Sequence, residues 1–415
     1  MKNSFAFLMS ASELKLAARN LTRHHTRTLI SLSSIAFGVI ALLLAGGFIE
    51  WIFYAMREST ILTGLGHIHV SRPGFDDAGL ANPDRYLIPS DTAELKTARS
   101  APAVKEVDQR LVFSGLASSG EITVAFSGTA VDSDADKLIS PILPIVGNGF
   151  DPSDASGVLL GRGLAAALGV KPGDTVSFLV SLPGGGINAV EGHVRGTFAT
   201  QVKAYDDTAL RMPLSLGRKL LRVRGSHLWV IGLERTDTDM AATMKYLKAQ
   251  LPTAGFELRT WLELSDFYRK AVGLLSRQID VVALLIGIII VLGISNTLTM
   301  NVLERTGEIG TLMAMGTPRR GILRLFVLEG LLLGTIGGLV GLIIGYALAQ
   351  ALSFVGIPMP PPPGRDTGYS ARIIVTIPHA LWGLAMAIAA ATLASLYPAW
   401  KASRLPIVDA LRHNR

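Results

Sequence analysis

Four long stretches of this chain carry almost no charge, and they decide what it can fold into. Thr28 to Tyr54 holds only Glu50, and Ile279 to Leu303 holds only Asp280; Gly330 to Gly364 and Ile373 to Trp400 hold no charged residue. A helix rises about 1.5 Å per residue, so roughly 20 apolar residues cross a hydrocarbon core about 30 Å thick. Each stretch is long enough, and 17% charged residues across 415 is low for a soluble chain of this size. The first stretch exceeds the apolar core of a signal peptide, and no A-x-A-like site follows promptly, so it is expected to remain as an uncleaved helix.

The positions of the basic residues set an expected orientation. Residues 1–28, 302–324 and 401–415 together hold 13 Lys and Arg against four Asp and Glu, whereas Arg57 to Arg277 holds 24 of each. Basic short loops resist translocation, which places both termini and the 302–324 loop inside and the segment of about 220 residues outside. The formal charge of +7 is therefore a topological signal, and no nucleic-acid partner is read from it. The chain has no cysteine, so the external domain is held by its own core, without disulfides or Cys-based metal sites.

Within the external segment, residues 67–72 read as a strand, 91–100 as a helix and 104–114 as a second strand, a βαβ order that returns at 227–235, 238–251 and 256–262. Residues 115–225 between them are Gly-rich with alternating strands and read as a separate β-rich insertion, with Pro172-Gly173 marking a turn. Leu264 to Leu303 lacks proline, so the second span is expected to run outward as a stalk. The alternative is a break around Gly273.

Few residues point to chemistry. No G-x-x-x-x-G-K-[ST] occurs, so no cofactor is expected on this chain and any ATP with its Mg belongs to a partner. Asp132, Asp134 and Asp136 imitate the start of a calcium loop, but Lys137 replaces the required Gly and Leu143 the bidentate Glu, so they read as a solvated turn. His67 and His69 share a strand face without a second ligand cluster, so no metal site is assigned. Gly184 to Gly186 after Pro183 read as a flexible hairpin exposed to partners, and Met359 to Gly364 as a stiff polyproline spacer. No paired catalytic carboxylates or HExxH appear, and an enzymatic role is not expected.

Leu14, Ala17, Ala18 and Leu21 recur at helical spacing, with Glu13, Lys15, Arg19 and Arg23 on other faces, as suits a helix at the lipid interface. Residues 304–330 predict a short helix with exposed Met313 and Met315, a Gly-Thr-Pro turn and the Arg319-Arg320 pair. Met adapts to a groove while charges fix register, so this is either a docking element or a plain connection. Glu329 is expensive in lipid and is expected to face other helices, water, Arg324 or Arg305, or else to reach interfacial water.

Glu304-Arg305, Glu308-Ile309-Gly310, Met315-Gly316, Arg319-Arg320 and Glu329-Gly330 together resemble the coupling-helix signature of the MacB/FtsX-like ABC transporter permeases, a family that includes LolC and LolE. Tyr397 to Ala402 with Pro406, Ala410, Leu411 and Arg412 is similar to its closing motif. Ala18 to Leu21 with Arg27-Thr28 resembles its opening helix, and residues 157–176 resemble a stretch of its external domain. The resemblance covers essentially the whole chain.

The resemblance implies an α-helical membrane protein with four transmembrane helices and an inserted α+β periplasmic domain of porter-like and β-rich, Sabre-like subdomains. The expected division is residues 1–27 interfacial; 28–54, 277–303, 322–355 and 373–399 spanning; 55–276 external; 304–321 coupling; 356–372 an external Pro-rich loop; and 400–415 a tail. Inside the external part, 55–114 and 226–264 form the porter-like halves, 115–225 the insertion and 265–276 the stalk. It also implies a separate cytoplasmic ATPase dimer, a second permease subunit, surrounding lipids and a periplasmic carrier, membrane-fusion protein or hydrolase. Glu304, Arg305, Glu308, Ile309, Met313, Met315, Gly316, Arg319 and Arg320 would couple to the ATPase, with Glu329 as the intramembrane polar candidate. The expected function is extraction or export of a lipoprotein, lipid or other hydrophobic cargo from the bacterial inner membrane, the alternative being FtsX-like signalling to a cell-wall hydrolase.

Overall fold

A computed structural model of the chain describes residues 11–23, 25–79, 83–182, 185–200, 202–360, 369–404 and 406. The chain forms two compact units, Met1–Phe53 with Val272–Pro358 and Ser370–Arg415, and Tyr54–Ala271 with Met359–Tyr369.

The first unit is helical. The helix Ala11–Arg23 precedes four helices long and apolar enough to span a membrane, two of which carry on into the sequence of the second unit. The first runs from His25 to Thr60 and closes in a π-turn at Ile61–Leu65; the others are Asp266–Glu304, Arg319–Val355 and Ile377–Ser403. A short helix, Thr306–Ala314, joins the second span to the third.

Asp266–Glu304 is one unbroken helix, and Gly273 lies inside it with open space where a Cβ would stand, so the alternative break does not occur. The fourth helix starts at Ile377 rather than 373. Thr376 caps it by accepting from the His379 N–H at 3.4 Å, and Pro378 sits in its first turn, where a missing N–H costs nothing. Just before it, the backbone N–H groups of Ile373 and Ile374 donate to Ser353 Oγ at 2.9 Å and Gly47 O at 2.9 Å, which holds this stretch outside the helix.

The third span is the packing centre of this unit. Gly330, Gly334 and Gly338 face the fourth helix, where an added Cβ would meet the Ser395 side chain at 2.6 Å, Ala391 Cβ at 2.9 Å and Leu384 at 2.7 Å. Gly337, Gly341 and Gly345 face the first span, with Ile35 at 2.9 Å, Val39 Cβ at 2.8 Å and Leu43 at 2.9 Å. Between apolar helices in lipid the attraction is close van der Waals contact, and two four-residue glycine ladders supply it on two sides.

The second unit is built on one ten-stranded mixed sheet. Its first four strands in space are Glu257–Thr260, Ile68–Ser71, Leu228–Leu233 and Val104–Ser119, all antiparallel to their neighbours. With helices Ala93–Arg99 and Thr236–Gln250 this is a split βαβ repeat of ferredoxin-like order, the second repeat's strands interleaved with the first's. Ile68, Val70, Val107, Trp229, Ile231, Leu247 and Phe256 form its core.

The expected border at 114/115 does not exist as a boundary. Val104–Ser119 is a single strand whose first half pairs with Leu228–Leu233 and whose second half pairs with Ile122–Val131. The β-rich part therefore grows from the same strand, around Phe113, Phe126 and Phe178, whose rings meet edge to face at 5.9 and 5.6 Å. Such pairs add about 0.5–1.5 kcal/mol each beyond area burial.

Three histidines of this unit are held neutral, His67 and His227 buried and His69 half-buried. His67 Nδ1 accepts from the Leu233 N–H at 3.1 Å and His227 Nδ1 from the Val112 N–H at 3.0 Å, while His69 Nε2 meets Leu65 O at 2.7 Å. Burial pulls each down to about 4. Unfolding releases them to their ordinary value, so between about pH 6.5 and 4 the unfolded chain takes up three protons that the native chain does not, and stability falls with pH. Asp108, pushed up to about 7 by burial, works the other way, since its native carboxyl holds a proton that the unfolded one releases. The histidines outnumber it. Hydrogen-exchange protection along Val104–Ser119, corrected for intrinsic rate, should drop from pH 6.5 to 4.5 by up to about 1.4 kcal/mol per pH unit for each uncompensated histidine. Protection that rises on acidification would contradict this.

Candidate functional site

Of the residues singled out between 304 and 330, Glu304, Arg305, Glu308 and Glu329 enter one charged cluster in the helical unit. Glu304 ends the second span, Arg305 stands at the N-cap of Thr306–Ala314, and Glu308 lies in its first turn. Gly316 turns the chain at φ +95°, a left-handed conformation that favours glycine, and Pro318 caps the third span.

Arg305 is the hub, only 6% exposed. Its Nε donates to Glu308 Oε2 at 3.1 Å, its Nη1 to Glu329 Oε1 at 3.2 Å, and its guanidinium lies 5.9 Å from the Phe326 ring centre. Glu329 also accepts from Asn20 Nδ2 at 2.8 Å. Arg23 Nη1 donates to the far oxygen of Glu308 at 2.8 Å, and Arg27 forms a two-pronged pair with Glu304. The chain of contacts thus runs from the helix Ala11–Arg23 and the start of the first span, through the short helix, into the third span.

The parts of this cluster differ in strength. Arg23–Glu308 is exposed and is worth about 0–1 kcal/mol. Arg305–Glu329 is buried on both sides, so each partner prevents a costly lone charge in the other. Glu329 Oε2 has no hydrogen-bond partner among the described residues.

The expected surface role of Met313 is corrected. Ile309 and Met313 stand four residues apart on one helical face, and that face packs inward on Val302, Ile322, Phe326, Ala399 and Ala402. The outward set is Glu304, Glu308, Met315, Gly316, Arg319 and Arg320, with Met315 71% exposed.

Other sequence candidates take different roles. Asp132 caps the helix Ser133–Ile139 and Asp134 is exposed in its first turn, while Asp136 is buried between Arg110 and Arg211 rather than solvated. His67 and His69 are tied as described, and no group of three His, Cys, Asp or Glu gathers as a metal site among the described residues. Gly185 and Gly186 adopt positive φ. Pro183, Gly184, residues 361–364 of the proline segment and tail residues Ala410, Leu411 and Arg412 lie outside the described residues.

Sequence reasoning missed Asn20, Arg23 and Arg27 as members of the cluster. Arg23 and Arg27 stand four residues apart, but they counted towards orientation, the interfacial helix and the resemblance of the opening helix, as Asn20 did towards the last, and not towards a cluster. The glycine ladders were missed as well, although the spacing Gly330, Gly334, Gly338 and Gly337, Gly341, Gly345 is plain in the sequence.

Residues 28–250 match the MacB-like periplasmic core domain and residues 281–407 the FtsX-like permease C-terminal domain. An uncharacterized ABC transporter permease, YvrN, of Bacillus subtilis (strain 168) is 37% identical over 121 residues, 29% of this chain and 26% of its own length. The lipoprotein-releasing system transmembrane protein LolC of Xylella fastidiosa (strain Temecula1) is 27% identical over 275 residues, 62% of this chain and 64% of its own. The chain thus spans less than two thirds of either relative. The solved periplasmic region of MacB from Actinobacillus actinomycetemcomitans aligns with 52% of this chain and 95% of its own, at 13% identity and a TM-score of 0.37.

Proposed function

Because this chain belongs to the MacB/FtsX-like family of ABC transporter permeases, we propose that it transmits the motion of a cytoplasmic ATPase dimer to its external domain, acting on a lipid-linked or other hydrophobic cargo. The observation that carries this is the Glu308–Arg305–Glu329 relay. A push on the exposed side of the short helix reaches a carboxylate inside the third span through two charge-assisted bonds.

In this reading Glu304, Glu308, Met315, Gly316, Arg319 and Arg320 meet the ATPase. Ile309 and Met313 fasten the short helix to the bundle, and Arg305 with Glu329 carries the displacement. Both termini and the short helix lie on the cytoplasmic side of the bacterial inner membrane, supported by the basic short loops. ATP and Mg are bound by the ATPase, and a second permease subunit completes the complex.

Purification of the intact complex from native membrane should recover an ABC ATPase together with bound lipid or lipoprotein. Charge reversal by Glu308→Arg or Arg319→Glu should lower ATPase recovery or cargo-stimulated hydrolysis about tenfold, the scale of one lost charged contact. Unchanged recovery and stimulation in both variants would refute the docking surface.

A further inference from the structure

A cavity of about 510 Å³ lies in the second unit, and the force relay makes no use of it. Its wall includes two buried arginines, Arg110 at 6% and Arg211 at 4% exposure, together with Thr129 and Thr200. Val202 and Phe267, 43% and 57% exposed, stand at its mouth.

The charges are arranged asymmetrically. Arg110 donates to Asp108 at 2.5 Å, to Asp136 at 3.2 Å and to Gly64 O, and Arg211 donates to Asp136 at 3.3 Å and to Thr63 O at 2.8 Å. Asp108 and Asp136 accept from the two arginines but do not line the cavity. Both arginines belong to the lining. The lone carboxylate on the lining, Asp266, is exposed and bonded to Arg269. An arginine has five N–H donors; among the described residues Arg110 commits three, leaving two, while Arg211 also donates to Ser140 Oγ at 3.3 Å and pairs with the Tyr205 hydroxyl on the cavity wall.

A cationic floor beneath an apolar mouth fits a molecule with an acceptor-rich anionic head and an apolar chain, and the volume falls within the usual range of ligand pockets, about 300–1,000 Å³. The walls come from Ser59 to Leu65, which follow the apolar stretch of the first span, and from Leu264 to Phe267, where the second long helix begins. We propose that this cavity is a binding site for a single-chain amphipathic anion, its carboxylate or phosphate held by Arg110 and Arg211 and its chain leaving past Val202 and Phe267. The site is independent of the force relay and binds without ATP hydrolysis.

The test uses the full chain in nanodiscs of uncharged lipid and a dansyl-labelled undecanoic acid as fluorescent probe. Saturable binding above empty nanodiscs is expected, with displacement by oleate or dodecyl phosphate but not by oleyl alcohol or inorganic phosphate. Val202→Glu and Phe267→Glu, at exposed positions, should weaken binding about tenfold without moving the unfolding midpoint, and Arg211→Lys should do likewise through the lost fork geometry. Should Arg211→Lys fail to fold, the two mouth variants decide the matter. Absence of saturable binding, equal displacement by oleyl alcohol, displacement by inorganic phosphate alone, or wild-type affinity in both mouth variants would overturn the proposal.

Discussion

Arg305→Ala is expected to destabilise the helical unit by about 3–5 kcal/mol, because it strands the Glu329 carboxylate inside the bundle. Glu329 is 1% exposed, and apart from Arg305 its hydrogen-bond partner among the described residues is the neutral amide of Asn20. Removing both charges together is a different perturbation. Arg305→Met with Glu329→Leu keeps the volume and discards both desolvation costs, so the double variant should recover most of the loss. Arg23→Ala, which removes an exposed pair, should cost less than about 1 kcal/mol. Reversible unfolding in mixed micelles would rank the three. Arg305→Ala unfolding with the wild type, or a double variant worse than the single, would sink the argument. If stability is recovered while stimulated ATP hydrolysis is not, the pair serves transmission rather than folding.

Gly341→Val and Gly334→Val should each disrupt helix packing in the same unit. The valine Cβ at 341 would stand 2.8 Å from Val39 Cβ and 2.9 Å from the Ala36 carbonyl oxygen, and at 334 it would stand 2.9 Å from Ala391 Cβ and from Ile388 Cα. Backbone and β-carbons cannot swing aside as a side-chain tip can, so the helices must separate. Overpacking costs about 1–3 kcal/mol at one site, and separation also forfeits contacts along the rest of the ladder. Gly273→Ala is the control, since a Cβ there meets nothing within 4 Å and should add up to about 1 kcal/mol of helix propensity. Wild-type stability in both valine variants would show that the ladders do not hold the bundle.

The four spans were legible because a charge-free run of such length has few other destinations, and the porter-like repeat because its strands and helices alternate with clear periods. The charged cluster was half legible. Glu329 stood out as a charge beside an apolar run, and Arg305 was one of two cations proposed for it. Asn20 lies 309 residues away from Glu329, and no local pattern joins them. Met313 misled because a methionine near charged residues looks the same on either helical face, and only the arrangement of the neighbouring helices decides which face is covered. Asp136 misled for a related reason. Its partners, Arg110 and Arg211, come from strands that the sheet brings together, and an Asp-rich turn gives no sign of buried arginines.

The strand Val104–Ser119 belongs to two cores at once. Side chains alternate faces along a strand, so adding or removing one residue turns every later side chain over. At most sites that error stays within one subdomain. Here, an insertion near Asp108 to Leu111 would leave one core correctly seated and present the wrong face to the other. Through this stretch the chain can tolerate changes of residue type more readily than changes of residue number. The β-rich part accordingly cannot be excised or grafted at 114/115 as a cassette, and a viable chimera must carry the whole strand with one parent.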